Sequence, residues 1–501
     1  MRHLVQANRN AHQARLAALI GLAFVGPALA IGDGPVVSTH LDQSRIEHGQ
    51  VDFQDVFDHG RDLFVAKFNT HDGQSRPATT GGGAARVPGS APRFIRTSAP
   101  DANSCAGCHN DPFVGAAGDI VANVFVLAQT LDPVTESVSP NQSNERNTLG
   151  MQGSGAIEML AREMTVELQT QRSSAIALAA QTGQNVTRSL ASKNVRFGSL
   201  IAKPDGSVDT TGVAGVNADL IIRPFHQKGA VISLREFTNN AMNHHHGMQS
   251  EERFGPARTG SSDFDQDGVP SELSVGDITA ATIYQAALAT PGQVLPDDVP
   301  SLRAIIRGEQ TFSAIGCSGC HVPELHLDSR NFDEPNPFNP AGNLTPGGVS
   351  QVFRFDLTSQ GELPRLEATP DGGAIVRAYT DLKRHNLCDT EIRHFCNELV
   401  VQGGISTEMF LTRKLWDVGN SAPYGHKGDL TTITEAILAH GGEGRAARNA
   451  FAALARPRQD EVVEFLKSLQ MLPPGTPALI VDKRMQPVDK ALMRDHERPL
   501  R

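Results

Sequence analysis

A mainly α fold is what this sequence predicts, made of two similar helical units in series with long loop insertions. Three observations predict it. Apolar residues recur at helical spacing in several segments. The pentapeptide Cys-x-x-Cys-His occurs twice, at Cys105-Ala-Gly-Cys108-His109 and Cys317-Ser-Gly-Cys320-His321. The residues around the first copy are echoed, in the same order, around the second. With 501 residues the chain has room for two large domains or three average ones. Its hydrophobic content of 39% supports a real core, while 47 glycines and 30 prolines imply much loop. The net charge of −10 argues against nucleic acid or an anionic membrane as the main partner, since both attract basic patches.

Residues 1–30 read as a secretory signal peptide. Arg2, His3, Arg9 and Arg15 make a basic start, residues 16–26 are apolar and uncharged, and Pro27-Ala28-Leu29-Ala30 ends in a small-x-small site. The apolar run is too short to cross a bilayer, and no later stretch is long and apolar enough. An exported, periplasmic protein with no membrane span is therefore expected. Residues 31–298 are assigned to a first unit. It begins with a polar, acidic arm over 31–58. Gly60-Arg-Asp-Leu-Phe64 follows, then a Gly/Pro/Ser/Thr-rich insertion around 72–100, then the first Cys-x-x-Cys-His motif. Residues 156–169 carry Ile157, Leu160, Ala161, Met164 and Leu168 on one helical face.

Gly268-Val-Pro270 and Pro291-Gly292 bracket the junction to a second unit, residues 299–473. There a helix over 302–312 ends in Gly308-Glu-Gln-Thr-Phe312, matching Gly60 to Phe64, and leads into the second motif. Residues 330–372 read as loop, 432–439 and 461–469 as helix, and 474–501 as a polar tail. A second echo aligns Arg146-Asn-Thr-Leu-Gly-Met-Gln-Gly-Ser-Gly-Ala-Ile-Glu158 with Arg413-Lys-Leu-Trp-Asp-Val-Gly-Asn-Ser-Ala-Pro-Tyr-Gly425, placing Glu158 opposite Gly425.

The spacing of Cys-x-x-Cys-His suits covalent haem. The cysteines lie one turn apart and can add to the two haem vinyl groups, and the next residue offers an imidazole to the iron. A zinc ribbon needs its cysteine pairs close together, and here they are far apart. Two covalently bound haem c groups are expected, held by Cys105, Cys108 and His109 and by Cys317, Cys320 and His321. The fold expectation becomes two cytochrome c-like haem domains, and the periplasm is where such haem is attached. Cys388 and Cys396 read as a disulfide in that oxidising compartment.

The stretch Phe410-Leu-Thr-Arg-Lys-Leu-Trp-Asp-Val-Gly-Asn-Ser-Ala-Pro-Tyr-Gly-His-Lys-Gly428, followed by Thr434-Glu-Ala-Ile-Leu-Ala-His-Gly-Gly442, resembles the bacterial di-haem cytochrome c peroxidases and the related di-haem enzyme that matures methylamine dehydrogenase. It is more similar to the branch of di-haem oxidoreductases sometimes labelled thiol oxidoreductases, which also carries runs like Ser233-Leu-Arg-Glu-Phe237, Gly247-Met-Gln249 and the Asp-rich segment 263–272. The resemblance covers most of residues 55–470. It implies one haem for electron transfer and one for peroxide chemistry. In the peroxidases a Met between Tyr and His of the Pro-Tyr-x-His motif often ligates the second iron. Here that position is Gly425, so Tyr424, His426 or Met409 must serve, or the site is open.

Three further groups are candidates. Asn243-His244-His245-His246-Gly247-Met248 offers a sixth ligand to the first haem, from His245 or Met248, or else a separate metal site or a polar helix end. Asp263, Asp265, Asp267 and Glu272 alternate hard oxygen ligands around a turn glycine, a pattern suited to Ca²⁺ or to a merely solvated turn. The related peroxidases hold calcium between their haem domains, which favours the metal. Glu158, by the echo, is expected over the first haem as a proton carrier, with Tyr424 and His426 as further catalytic candidates. Trp416 is a candidate electron relay. The function expected is reduction of H₂O₂ with electrons from a small redox protein, a cytochrome c or a cupredoxin. A pure electron-transfer cytochrome, or an oxygenase or protein-modifying enzyme on the same scaffold, are the alternatives.

Overall fold

The helices range from single turns to the 29 residues of Ser154–Thr182, and several start at side-chain caps. In chain order they are α1 Gln43–Glu47, α2 Phe53–Val65, α3 Ser154–Thr182, α4 Leu234–Ala241, α5 Glu251–Phe254, α6 Pro256–Thr259, α7 Val275–Ala286, α8 Val299–Ala314, α9 Ile433–Leu438, α10 Arg445–Ala452 and α11 Arg456–Ser468. Asp52 and Asp55 close a capping box on α2, and Asp298 caps α8. This computed structural model describes residues 33–74, 102–119, 121–124, 144–398 and 401–488. The signal peptide over 1–30, most of the 72–100 insertion and the end of the tail lie outside the described residues. The described residues from Pro35 onward form one compact unit.

The helices expected over 156–169, 302–312, 432–439 and 461–469 lie in α3, α8, α9 and α11. The mainly α expectation needs correction. Six small sheets of two or three strands accompany the helices among the described residues, so the fold is mixed. The largest ribbon pairs Val186–Ser192 with Val195–Ala202. Lys193 and Asn194 both take positive φ between them, the turn geometry that matches strand twist. Alternating burial of Val195 and Phe197 against exposed neighbours marks that strand. The loop expected over 330–372 contains the strand pair Asn331–Glu334 and Phe353–Asp356. In the segment expected to be tail, Ile480–Asp482 pairs in parallel with Gly292–Leu295, which also pairs with Leu469–Gln470.

The first echo corresponds to two helix crossings of one design. α2 crosses α7 at Gly60, and α8 crosses α11 at Gly308. A Cβ at Gly60 would lie 2.0 Å from the Ala280 carbonyl oxygen and 2.9 Å from Tyr284 Cβ. A Cβ at Gly308 would lie 2.0 Å from the Glu461 carbonyl oxygen and 2.9 Å from Phe465 Cβ. Only glycine lets each pair approach so closely. One turn later, Phe64 meets Tyr284 at 5.2 Å between ring centres, and Phe312 meets Phe465 at 5.5 Å. Asp277 of α7 adds a tie to the N-terminal arm. It is fully buried and accepts from His40, His59 and the Leu41 amide. Against the effect of burial, the hydrogen bonds from His40 and His59 hold its carboxyl well below the usual range.

Candidate active site

Both Cys-x-x-Cys-His motifs fold into a single tight turn, Cys105–Gly107 and Cys317–Gly319. The His109 amide donates to the Cys105 carbonyl at 2.9 Å, and the His321 amide to the Cys317 carbonyl at 3.0 Å. The turn brings two thiols and an imidazole together, and the phenylalanine of the preceding helix backs each imidazole. Ring centres are 6.4 Å apart for Phe64 and His109 and 6.2 Å apart for Phe312 and His321. The four motif cysteines are in no disulfide, whereas Cys388 and Cys396 form one, as the sequence suggested. Burial pushes the Cys105 thiol up to about 12 and Cys317 up to about 11, the opposite of what a reactive redox dithiol needs.

Both motifs open onto one cavity of about 410 Å³, lined by Cys105, Cys108 and His109 from one side and Cys317, Cys320 and His321 from the other. Burial lowers both histidines to about 4, so both are neutral imidazoles, the ligating form. His321 Nδ1 lies 3.1 Å from the Tyr379 carbonyl, which can only accept. Nδ1 therefore carries the proton, and the lone pair is on Nε2.

His426 is the sequence candidate that the structure brings to this cavity most directly. It is 3% exposed, and neither ring nitrogen has a hydrogen-bond partner among the described residues. Burial first, then the cations Arg146, Lys427 and Lys228, bring it down to about 3. Arg146 also lines the cavity and pairs with Glu398 at 2.8 Å in a buried ion pair. Glu398 Oε2 lies 3.9 Å from His426 Nε2. Backbone contacts fix this seam. The Asn147 amide donates to the His426 carbonyl at 3.0 Å, and Asn147 Nδ2 donates to the Pro423 carbonyl at 2.6 Å. Gly425 sits at φ +81°, between Tyr424 and a Leu430 amide that donates to the Tyr424 carbonyl. The turn, not the chemistry, selects glycine there. Tyr424 lines the cavity but its hydroxyl is spent on the Val418 carbonyl at 2.9 Å.

Other candidates separate. His245 lines the cavity, on a π-helical turn, Met242–His246, that continues α4. Its neighbour His246 donates from Nδ1 to the Ala102 carbonyl and sets Nε2 3.3 Å from Cys105 Sγ. Met248 does not line the cavity. It is buried in a core with Leu63, Phe68 and Leu273, so the expectation of a Met248 ligand is corrected. Glu158 is also corrected. It is fully buried on α3, pairs with Arg162 and accepts from the Leu234 amide at 2.7 Å and from Asn336 at 2.8 Å. It is absent from the cavity lining, because α3 turns that face into a polar network with Arg235 and Glu334. Trp416 is buried against Gly153 and its indole nitrogen has no partner among the described residues.

Three of the four acidic candidates come together. Asp263, Asp265 and Asp267 each present an oxygen within 4.8 Å of the others. Buried Glu272 is held well above its usual range, first by burial and then by Asp265. Residues that sequence reasoning gave no role also line the cavity. His226 is lowered to about 3, chiefly by burial. His385 sits between Asp381 and Glu443, 2.8 Å from each. Against burial, its hydrogen bonds to Asp381, Cys320 and Glu443 push it up to about 11. Arg146 headed the second echo, and that was its signal. Glu398 had none.

Residues 372–469 match the family described as "Di-haem oxidoreductase, putative peroxidase". The resemblance is to the di-haem peroxidase-like superfamily. The matched segment holds Glu398, His426, His440 and α9 to α11, and neither Cys-x-x-Cys-His motif. Two solved structures are similar at low identity. One is hydrazine synthase from Kuenenia stuttgartiensis pressurised with xenon, at 16% identity and a TM-score of 0.23 over 43% of this chain and 59% of that one. The other is a MauG-like protein associated with microbial copper homeostasis, at 13% identity and a TM-score of 0.23 over 68% of this chain and 93% of that one. The chain thus spans under two thirds of the hydrazine synthase chain. No curated protein matches. Among the described residues, no helix is long and apolar enough to cross a membrane.

A di-haem family implies haem, and the residues present fit it. Two half-buried, neutral imidazoles, each one residue beyond a pair of cysteines in no disulfide, line a cavity. That set matches what a covalently attached haem requires of a protein.

Proposed function

We propose that the protein is a periplasmic di-haem c-type oxidoreductase that reduces H₂O₂, taking electrons from a small cytochrome c or cupredoxin. Cys105 and Cys108 would hold one haem with His109 as proximal ligand, and Cys317 and Cys320 the other with His321. The haems, when bound, supply the two single-electron transfers that the reaction needs. The chain's own groups handle protons and charge. Reduction of H₂O₂ consumes two electrons and two protons, breaks the O–O bond and releases two waters. The neutral imidazole of His426 can take a proton from one peroxide oxygen and return it to the other as that oxygen leaves. The two protons consumed both come from solvent, since the one His426 relays is the peroxide's own. Arg146, held by Glu398, stabilises negative charge as it develops on the leaving oxygen. The observation that carries this reading is a buried, uncharged imidazole at the cavity wall, with no hydrogen-bond partner on either nitrogen among the described residues and beside a buried Arg–Glu pair.

A second reading is pure electron transfer, favoured by the surplus of imidazoles on the same cavity, His226, His245 and His426. Two measurements separate the readings. Intact mass of protein made by a host that matures cytochromes c should give two haems, falling to one when Cys105 and Cys108, or Cys317 and Cys320, become Ala. Steady-state oxidation of a reduced cytochrome by H₂O₂ should then be catalysed by the two-haem form. No turnover with both haems in place would favour electron transfer. We also assign Ca²⁺ to Asp263, Asp265 and Asp267 with Glu272, since hard oxygen donors converge there.

A further inference from the structure

We infer that His440 is the second axial ligand of the haem held by Cys317 and Cys320, so that this iron is closed by two imidazoles. The inference rests on the haem reading above and deepens it by assigning the second haem to electron transfer. The ring centres of His321 and His440 are 6.5 Å apart. Two imidazoles that share one metal, each bonded at about 2 Å, place their ring centres roughly 6 Å apart. Both rings line the same cavity.

The tautomers agree. His440 Nδ1 lies 2.8 Å from the Ala436 carbonyl, as His321 Nδ1 lies 3.1 Å from the Tyr379 carbonyl. A carbonyl accepts only, so each Nδ1 carries the proton and each Nε2 keeps its lone pair. Both are the usual arrangement of a ligating histidine, with its far nitrogen tied to the backbone.

The position of His440 is held from several sides. It follows α9, whose start is fixed by a capping box of Thr432 and Glu435. The Gly441 amide donates to the Leu387 carbonyl at 3.2 Å, and the Gly442 amide to Asp389 Oδ2 at 2.8 Å. Leu387 and Asp389 flank Cys388, so the disulfide loop anchors the histidine. Phe395, inside that loop, packs edge-on to His440 at 5.8 Å.

The test uses the purified two-haem protein and electron paramagnetic resonance, with haem counted by intact mass. Wild type should show one low-spin ferric haem with two imidazole ligands. His440→Ala should convert one haem to high spin, keep both haems attached, and return to low spin on addition of imidazole. If that variant does not fold, His440→Met serves, because methionine ligation raises the potential of one haem and leaves the other unmoved. Unchanged spectra in a folded variant that keeps both haems would overturn the ligand. A wild-type chain without haem would overturn the haem reading itself, and is told apart by mass alone.

Discussion

Gly60 and Gly308 hold the same place in two helix crossings, and Phe64 and Phe312 back two proximal histidines in the same way. Beyond those histidines the halves part. The second half sets His440 across from His321, on a loop pinned by the disulfide. The first half places a π-helical turn with His245 near its motif. It also shares a seam in which its own Arg146 meets Glu398 and His426 from the other half. The difference teaches that the proximal side is local and repeated, whereas the distal side is long-range and has diverged. On the proposed reading, the halves differ in whether the face opposite the motif histidine is closed.

The largest expected effect tests whether chemistry belongs to that shared seam. His426→Ala should lower H₂O₂ turnover by about 10²–10⁴-fold, the usual range for losing a general acid or base, with haem content unchanged. Glu158→Gln is the control, since its Arg162 pair lies outside the cavity. It should leave turnover per folded molecule near wild type while lowering stability by about 3–5 kcal/mol, the cost of breaking a buried ion pair. Steady-state kinetics and chemical denaturation on the same preparations read both. Equal loss of turnover in the two variants would erase the distinction between seam and scaffold.

A smaller effect tests whether the two crossings are equivalent. Gly60→Ala and Gly308→Ala each drive a methyl against a backbone carbonyl, and each should cost about 1–3 kcal/mol. Thermal melts should therefore fall by similar amounts. A tolerated alanine at one glycine and not the other would mean that the echo is formal rather than structural.

The smallest concerns calcium, which only the first half would bind. Adding Ca²⁺ at ten times its Kd should stabilise the chelated protein by about 1.4 kcal/mol, because the ion binds the native state. The spectrum of the second haem should not move. Elemental analysis finding no calcium, together with a melt indifferent to chelator, would remove the site.

Much of the proximal architecture was legible in the sequence because it is encoded within one or two helical turns. The Gly-x-x-x-Phe helices, the motif turns and the 388–396 disulfide each join residues close in the chain. The strands were less legible. Only Val186–Ser192 and Val195–Ala202 are long enough to alternate clearly, and the others pair over two to four residues. Glu158 misled for a related reason. A linear echo aligns positions, but α3 rotates its carboxylate toward Arg162 and away from the cavity. Met248 was drawn in by sequence proximity to three histidines, yet an apolar side chain there gains more from packing on Leu63 and Phe68.

The sequence by itself determined the two Cys-x-x-Cys-His turns on which the proposed haem attachment rests. Thiol, thiol and imidazole must occupy adjacent positions on one turn, and no other part of the chain can alter that spacing. The tertiary structure decided what faces those histidines. Arg146 with Glu398, and His321 with His440, are pairs distant in sequence. They meet only because loops between helices are pinned by backbone bonds and one disulfide. Such meetings leave no periodicity to read, since the cavity wall is assembled from single residues that each obey a different local rule.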